Sequence, residues 1–141
     1  MNDIPSGLAL GAVMTRDPVS IDTAKSLTEA SSLMEKMSCR HLAVTEDDKL
    51  VGVLSQRDLT LAESATKRSQ DDLTVGDAYI AFPYRADKDD SLETVLDDMM
   101  SLGIGSVLVV DDKESLIGIL TTYDVCRILR DLLTDTPLTS P

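Results

Sequence analysis

The chain repeats itself, and the repeat restricts its possible folds more than any other feature. A shift of 65 positions lays Gly76 on Gly11, Pro83 on Pro18, Asp87 on Asp22 and Ser91 on Ser26. The same shift lays Leu92 on Leu27, Met99 on Met34 and Val109 on Val44. Past one extra residue in an acidic turn the shift becomes 66, and it lays Leu116 on Leu50, Gly118 on Gly52, Leu120 on Leu54 and Asp124 on Asp58. A lone insertion in a turn is what a duplicated unit tolerates best. Of 141 residues, each copy holds roughly 60, a size that is marginal in isolation. The chain should therefore form one compact domain, or two half-sized units sharing a core.

Each copy reads in the same order. A proline opens a short extended segment, Val19-Ser20-Ile21 or Tyr84-Arg85-Ala86. A polar cap follows, then a helix with apolar residues at helical spacing: Leu27, Ala30, Leu33, Met34, Met37 in one copy, and Leu92, Val95, Leu96, Met99, Leu102 in the other. Next come a strand (42–44; 107–110), an acidic turn and a returning strand (50–54; 116–120) that runs into a second helix. The order is β-α-β-β-α, twice, an α/β (α+β) class. The expected boundaries are a loose arm over 1–9, repeat one over 10–62, a polar linker over 63–74, repeat two over 75–133 and a disordered tail over 134–141. The last helix carries Val125, Ile128, Leu129, Leu132 and Leu133 as a stripe suited to packing on its own sheet or on another subunit.

The strand-to-helix junctions carry the chemistry: Gly52-Val53-Leu54-Ser55-Gln56-Arg57-Asp58 and Gly118-Ile119-Leu120-Thr121-Thr122-Tyr123-Asp124. Each ends its strand on a hydroxyl and places an aspartate three residues later. One reading is a capping box, with the aspartate reaching back to a backbone N–H. The other is a ligand site, since a helix N-terminus offers N–H donors and partial positive charge to a phosphate. A carboxylate would repel that phosphate, so it would have to face a sugar's vicinal hydroxyls instead.

A net charge of −12 argues against DNA or RNA as a partner and against anionic membrane surfaces. A single nucleotide needs only a local positive pocket. No apolar run approaches the roughly 18 residues of a membrane span, and the stretch Leu8 to Met14 lacks the basic flank of a signal peptide. Cys39 and Cys126 have no paired spacing and read as reduced, buried thiols of a cytoplasmic protein. Cys39 and His41 lack a third group to orient the imidazole, so a nucleophilic pair is set aside. Zinc is set aside too, because only His41 could join the cysteines. Asp87 to Asp90 with Glu93 lack the spacing of a calcium loop and suit a helix's first turn. Met34, Met37, Met99 and Met100 read as core or dimer contact. Lys67-Arg68 is too short for a nucleic-acid patch.

With this element order and the paired junctions, the chain resembles a tandem cystathionine β-synthase (CBS) domain pair, or Bateman module, over roughly residues 10 to 130. The runs Val13-Met14-Thr15-Arg16-Asp17-Pro18-Val19 and Cys39-Arg40-His41-Leu42-Ala43-Val44 match the family's pattern as well. The resemblance implies two sheets related by a pseudo-twofold axis, two clefts, and adenosine-type ligands such as AMP, ADP, ATP or S-adenosylmethionine. It implies that Asp58 and Asp124 take the ribose, and Ser55 and Thr121 the phosphate. Ser20, Ile21, Arg85 and Ala86 would line the base pockets. Arg57, Arg40 and His41 supply cations to the first copy, where the second offers Thr122, Tyr123, Gly105 and Ser106. Ile80 stands where the other copy has Thr15, so the second base pocket is expected to lose a polar contact. The Asp124 cleft is expected to bind at least the nucleoside, borrowing Arg40 or His41.

Family members often form disc-like dimers and regulate an enzyme or transporter. The expectation is therefore a non-enzymatic ligand sensor, homodimeric, needing no cofactor or metal and acting on a separate partner chain. The rival is a structural protein of the same fold with empty or decayed clefts.

Overall fold

The computed structural model describes residues 7–81 and 83–134. Residues 1–6 of the arm expected over 1–9, and residues 135–141 of the tail expected over 134–141, lie outside the described residues. The remainder is an α+β protein with four helices and two four-stranded sheets. In chain order these are β1 (Thr15–Arg16), β2 (Ser20–Asp22), α1 (Leu27–Met37), β3 (His41–Glu46), β4 (Lys49–Ser55) and α2 (Gln56–Thr66). The second copy follows as β5 (Ile80–Ala81), β6 (Arg85–Asp87), α3 (Leu92–Leu102), β7 (Ser106–Val110), β8 (Leu116–Thr121) and α4 (Thr122–Leu133). The two-residue strands β1 and β5 are additions to the order read from sequence. No helix among the described residues is long and apolar enough to cross a membrane.

The chain divides into two compact units that do not follow the repeat boundaries: Val19 to Pro83, and the residues up to Pro18 together with those from Tyr84 onward. In the first unit the sheet runs β2-β3-β4-β5, with β2 parallel to β3 and the remaining pairs antiparallel. In the second it runs β1-β8-β7-β6, with β6 parallel to β7. Each sheet is thus completed by a strand that opens the opposite sequence repeat.

The anchors repeat too. The Leu10 N–H donates to Asp90 O at 2.9 Å and Gly11 N–H to Lys88 O at 2.8 Å, while Val75 N–H donates to Lys25 O at 2.7 Å and Gly76 N–H to Thr23 O at 3.0 Å. Residue 8, expected in a loose arm, accepts from Leu92 N–H at 2.8 Å. The polar linker buries Leu73 completely, and its carbonyl accepts from Leu27 N–H at 2.9 Å.

Local chemistry explains the element ends. Ser26 caps α1 by accepting from Glu29 N–H at 3.0 Å, and Ser91 caps α3 by accepting from Thr94 N–H at 3.2 Å. Both helices stop on a left-handed residue, Ser38 (φ 53°) and Gly103 (φ 66°). Between β3 and β4, Asp47 and Asp48 both take positive φ, the geometry of a tight two-residue hairpin turn.

Helix α1 buries Leu27, Ala30 and Met34 against Leu42, Val44 and Leu54 of its sheet and Leu59 of α2. In the other unit Leu92, Val95 and Met99 pack with Val107, Val109, Leu120 and Ile128, joined by Leu10, Val13 and Met14. The methionines therefore divide, Met34 and Met99 being core while Met37 and Met100 are exposed. Leu102 is exposed as well, so both helical stripes are one residue shorter than their periodicity predicted. Of the apolar stripe on α4 only Ile128 is buried, while Leu129 and Leu133 face outward.

Candidate functional site

Each junction is placed by the hairpin before it. At the first, Ser55 ends β4 opposite His41, and the Gln56 N–H donates to Arg40 O at 2.9 Å. Because β2 runs parallel to β3, with Ser20 opposite Ala43 and Ile21 opposite Val44, its start lies toward the same sheet end. Ser20, Arg40 and Arg57 are exposed, His41, Ser55 and Asp58 half-buried, and Ile21 buried. The fold thus gathers most of the residues singled out in the first copy. Ile21 instead packs its side chain into the core.

The second junction has the same plan. Thr121 ends β8 opposite Ser106, and the Thr122 N–H donates to Gly105 O at 3.1 Å. On β6, Arg85 is exposed and Ala86 buried, while Thr122 and Tyr123 are exposed on the first turn of α4. The Tyr84 hydroxyl donates to Asp98 Oδ2, and that bond, reinforced by burial, pushes the phenol up to about 12. This tie from the residue before β6 to α3 left no signal in the sequence.

Both junctions display the hydrogen bonds of a capping box. Ser55 N–H donates to Asp58 Oδ2 at 2.8 Å, and Asp58 N–H to Ser55 Oγ at 3.2 Å. Thr121 N–H donates to Asp124 Oδ2 at 2.9 Å, and Asp124 N–H to Thr121 Oγ1 at 3.3 Å. The N-cap residue and the next three offer N–H groups with no intrahelical partner. Three are taken within each unit, and the remaining one is that of Arg57 or of Tyr123. An anion at either helix would rely on side-chain cations more than on backbone donors.

The two carboxylates differ in their further partners. Among the described residues Asp58 Oδ1 carries no hydrogen bond. Asp124 is only 4% exposed. Its Oδ1 accepts from Thr15 Oγ1 at 3.0 Å and lies 3.6 Å from the Arg127 guanidinium, while Oδ2 also accepts from Thr121 Oγ1 at 3.1 Å. Arg127 donates in addition to Val13 O at 3.4 Å.

Sequence reasoning missed Arg127, although a cation three residues after Asp124 on a helix was available as a signal. It also put Thr15 with the wrong junction. Strand β1 pairs with β8, Thr15 opposite Ile119, so Thr15 serves Asp124. Ile80, opposite Val53, takes the matching place beside Asp58.

The other groupings are modest. Burial pushes the half-buried Cys39 thiol up, which disfavours a thiolate there, and Cys126 is exposed rather than buried as expected. Asp87, Asp89 and Asp112 bring carboxylate oxygens within 4.8 Å of one another, close enough for a cation, but the Lys88 ammonium already lies 3.0 Å from Asp89.

Comparison with known proteins places this geometry in context. The CBS domain profile matches residues 10–65 and 75–131. Inosine-5'-monophosphate dehydrogenase of Methanocaldococcus jannaschii is 30% identical over 116 residues, 82% of this chain but 22% of the relative. The chain spans about a quarter of the length of the first curated relatives it matches. A protein named for acetoin utilization (AcuB) from Vibrio cholerae superposes with a TM-score of 0.78 at 27% identity, covering 90% of this chain and 93% of that one. CBSX2, solved in complex with AMP, superposes with a TM-score of 0.75 at 26% identity, covering 90% and 99%.

Proposed function

The chain belongs to the CBS domain family, and on that premise we propose that it is a regulatory sensor of an adenosine-containing ligand, bound at the strand-to-helix junctions. The carrying observation is that one end of a sheet gathers a carboxylate with an open oxygen (Asp58), a hydroxyl (Ser55) and three basic side chains (Arg40, His41, Arg57). In this reading Asp58 accepts from the ribose hydroxyls and the basic groups attract the phosphate, a charge-assisted arrangement. Ser20 borders the base in that junction. In the other, Asp124, Thr121, Thr122 and Tyr123 would meet the sugar and phosphate, with Arg85 and Ala86 beside the base. The AMP complex of CBSX2 supports this ligand class. The regulated partner is a separate enzyme or transporter, the working form a cytoplasmic homodimer, and the module itself performs no chemistry.

A second reading, a scaffold with unused sites, draws on Asp124, whose carboxylate already accepts three hydrogen bonds and lies 3.6 Å from the Arg127 guanidinium. Calorimetry of the full chain with AMP, ADP, ATP and S-adenosylmethionine separates the two. Heat with at least one supports the sensor, and silence at millimolar concentration supports the scaffold. Arg57→Ala is expected to weaken a nucleotide about tenfold while leaving free adenosine nearly unchanged, since a charged hydrogen bond contributes roughly 1.5–3 kcal/mol when well formed. Equal losses for both compounds would remove Arg57 from the phosphate.

A further inference from the structure

We propose that Thr15 and Arg127 pre-pair Asp124 and so grade the two junctions, leaving Asp58 the stronger acceptor of a ribose diol. This deepens the sensor reading and rests on it. A carboxylate offers about four acceptor positions. On Asp124 three are spent, on the Thr121 N–H and hydroxyl and the Thr15 hydroxyl, and the Arg127 guanidinium stands 3.6 Å from Oδ1 as a counter-charge. A diol with two O–H donors must displace one of them before it can bind. On Asp58 one position is spent, on the Ser55 N–H.

Part of the difference traces to one aligned pair of edge-strand residues. Thr15 lies opposite Ile119 on β8, five residues before Asp124, and Ile80 lies opposite Val53 on β4, five residues before Asp58. The two positions are geometrically equivalent, and only Thr15 has a hydroxyl to donate. Helix α4 adds Arg127 three residues after its aspartate, where α2 carries Leu61. The junctions are expected to fill in order, Asp58 first and Asp124 at higher ligand concentration. Thr15 and Arg127 are positioning residues, since they act through the carboxylate.

The test is calorimetry of the full chain with AMP. Asp58→Ala is expected to remove the tighter binding and leave a weaker one. In that background Thr15→Val, which is isosteric but has no hydroxyl, should tighten the remaining binding about tenfold, and Thr15→Ser, which keeps the donor, should not. Ile80→Thr on the exposed edge of β5 is the reciprocal change. It supplies Asp58 with a hydroxyl and should weaken the tighter site about tenfold. Wild-type affinity in Asp58→Ala, or weakened or unchanged binding on Thr15→Val, overturns the grading. Unchanged binding on Ile80→Thr overturns it as well. A wild-type chain that gives no heat with any adenosine compound overturns the sensor reading itself, and the grading with it.

Discussion

Asp124→Ala is expected to lower the stability of the chain by roughly 3 kcal/mol, against about 1 kcal/mol for Asp58→Ala. Both substitutions break a capping box, which sets the smaller figure. Only Asp124 is buried, and only it is also bonded to Thr15 and placed 3.6 Å from a guanidinium that is itself 14% exposed in its side chain. Its removal takes a counter-charge from Arg127 in a place where water offers little replacement, and strands the Thr15 hydroxyl. Breaking one side of a buried pair costs more than the pair itself contributes, because the remaining group keeps its desolvation penalty. Urea unfolding of the two variants, followed by far-ultraviolet circular dichroism, checks the ratio. Equal losses would mean that the extra partners of Asp124 contribute nothing.

Gly52→Ala should be the most damaging single-methyl addition in the sheets, at roughly 3 kcal/mol, the upper end of the range for overpacking. A Cβ at Gly52 would lie 2.3 Å from Tyr79 Cδ2 and 2.4 Å from the Ile80 carbonyl oxygen. The carbonyl belongs to β5, so relief requires β5 to leave β4. Gly118→Ala makes a comparable first contact, 2.3 Å from Met14 Sδ, but its nearest backbone atom, Thr15 O, is 3.0 Å away. A methionine side chain can swing aside, and alanine recovers roughly 0.5–1 kcal/mol of chain entropy relative to glycine, so about 1 kcal/mol is expected there. Thermal unfolding should rank the two in that order. A Gly52→Ala protein as stable as Gly118→Ala would show that β5 is not held where the Tyr79 and Ile80 contacts place it. Neither glycine has a positive φ, so the requirement at both is for space.

The duplication, the hairpins and the capped helices were legible because each spans enough residues to carry a period or a turn signal. Ser55 and Asp58 could be read as a capping box from spacing alone. Strands β1 and β5 could not be read, since two residues hold no alternation. Linear order also does not say which sheet an edge strand joins, and this misplaced Thr15 and Ile80. The exposure of Met37 and Leu102 was hidden for another reason: both sit in the last turn of their helices, where the spacing continues but the sheet beneath has ended. Leu73 was the converse, one apolar residue in a polar stretch whose burial depends on α1 packing over it.

The exchanged edge strands have a consequence for how such a chain can change. A fragment stopping after α2 would hold β1 without β8, and β4 with a bare edge where β5 belongs. Neither copy can be deleted to recover a self-sufficient ancestor, because each stores a piece of the other's framework. The doubling acts as a ratchet: once the pieces have been traded, both copies must be inherited together.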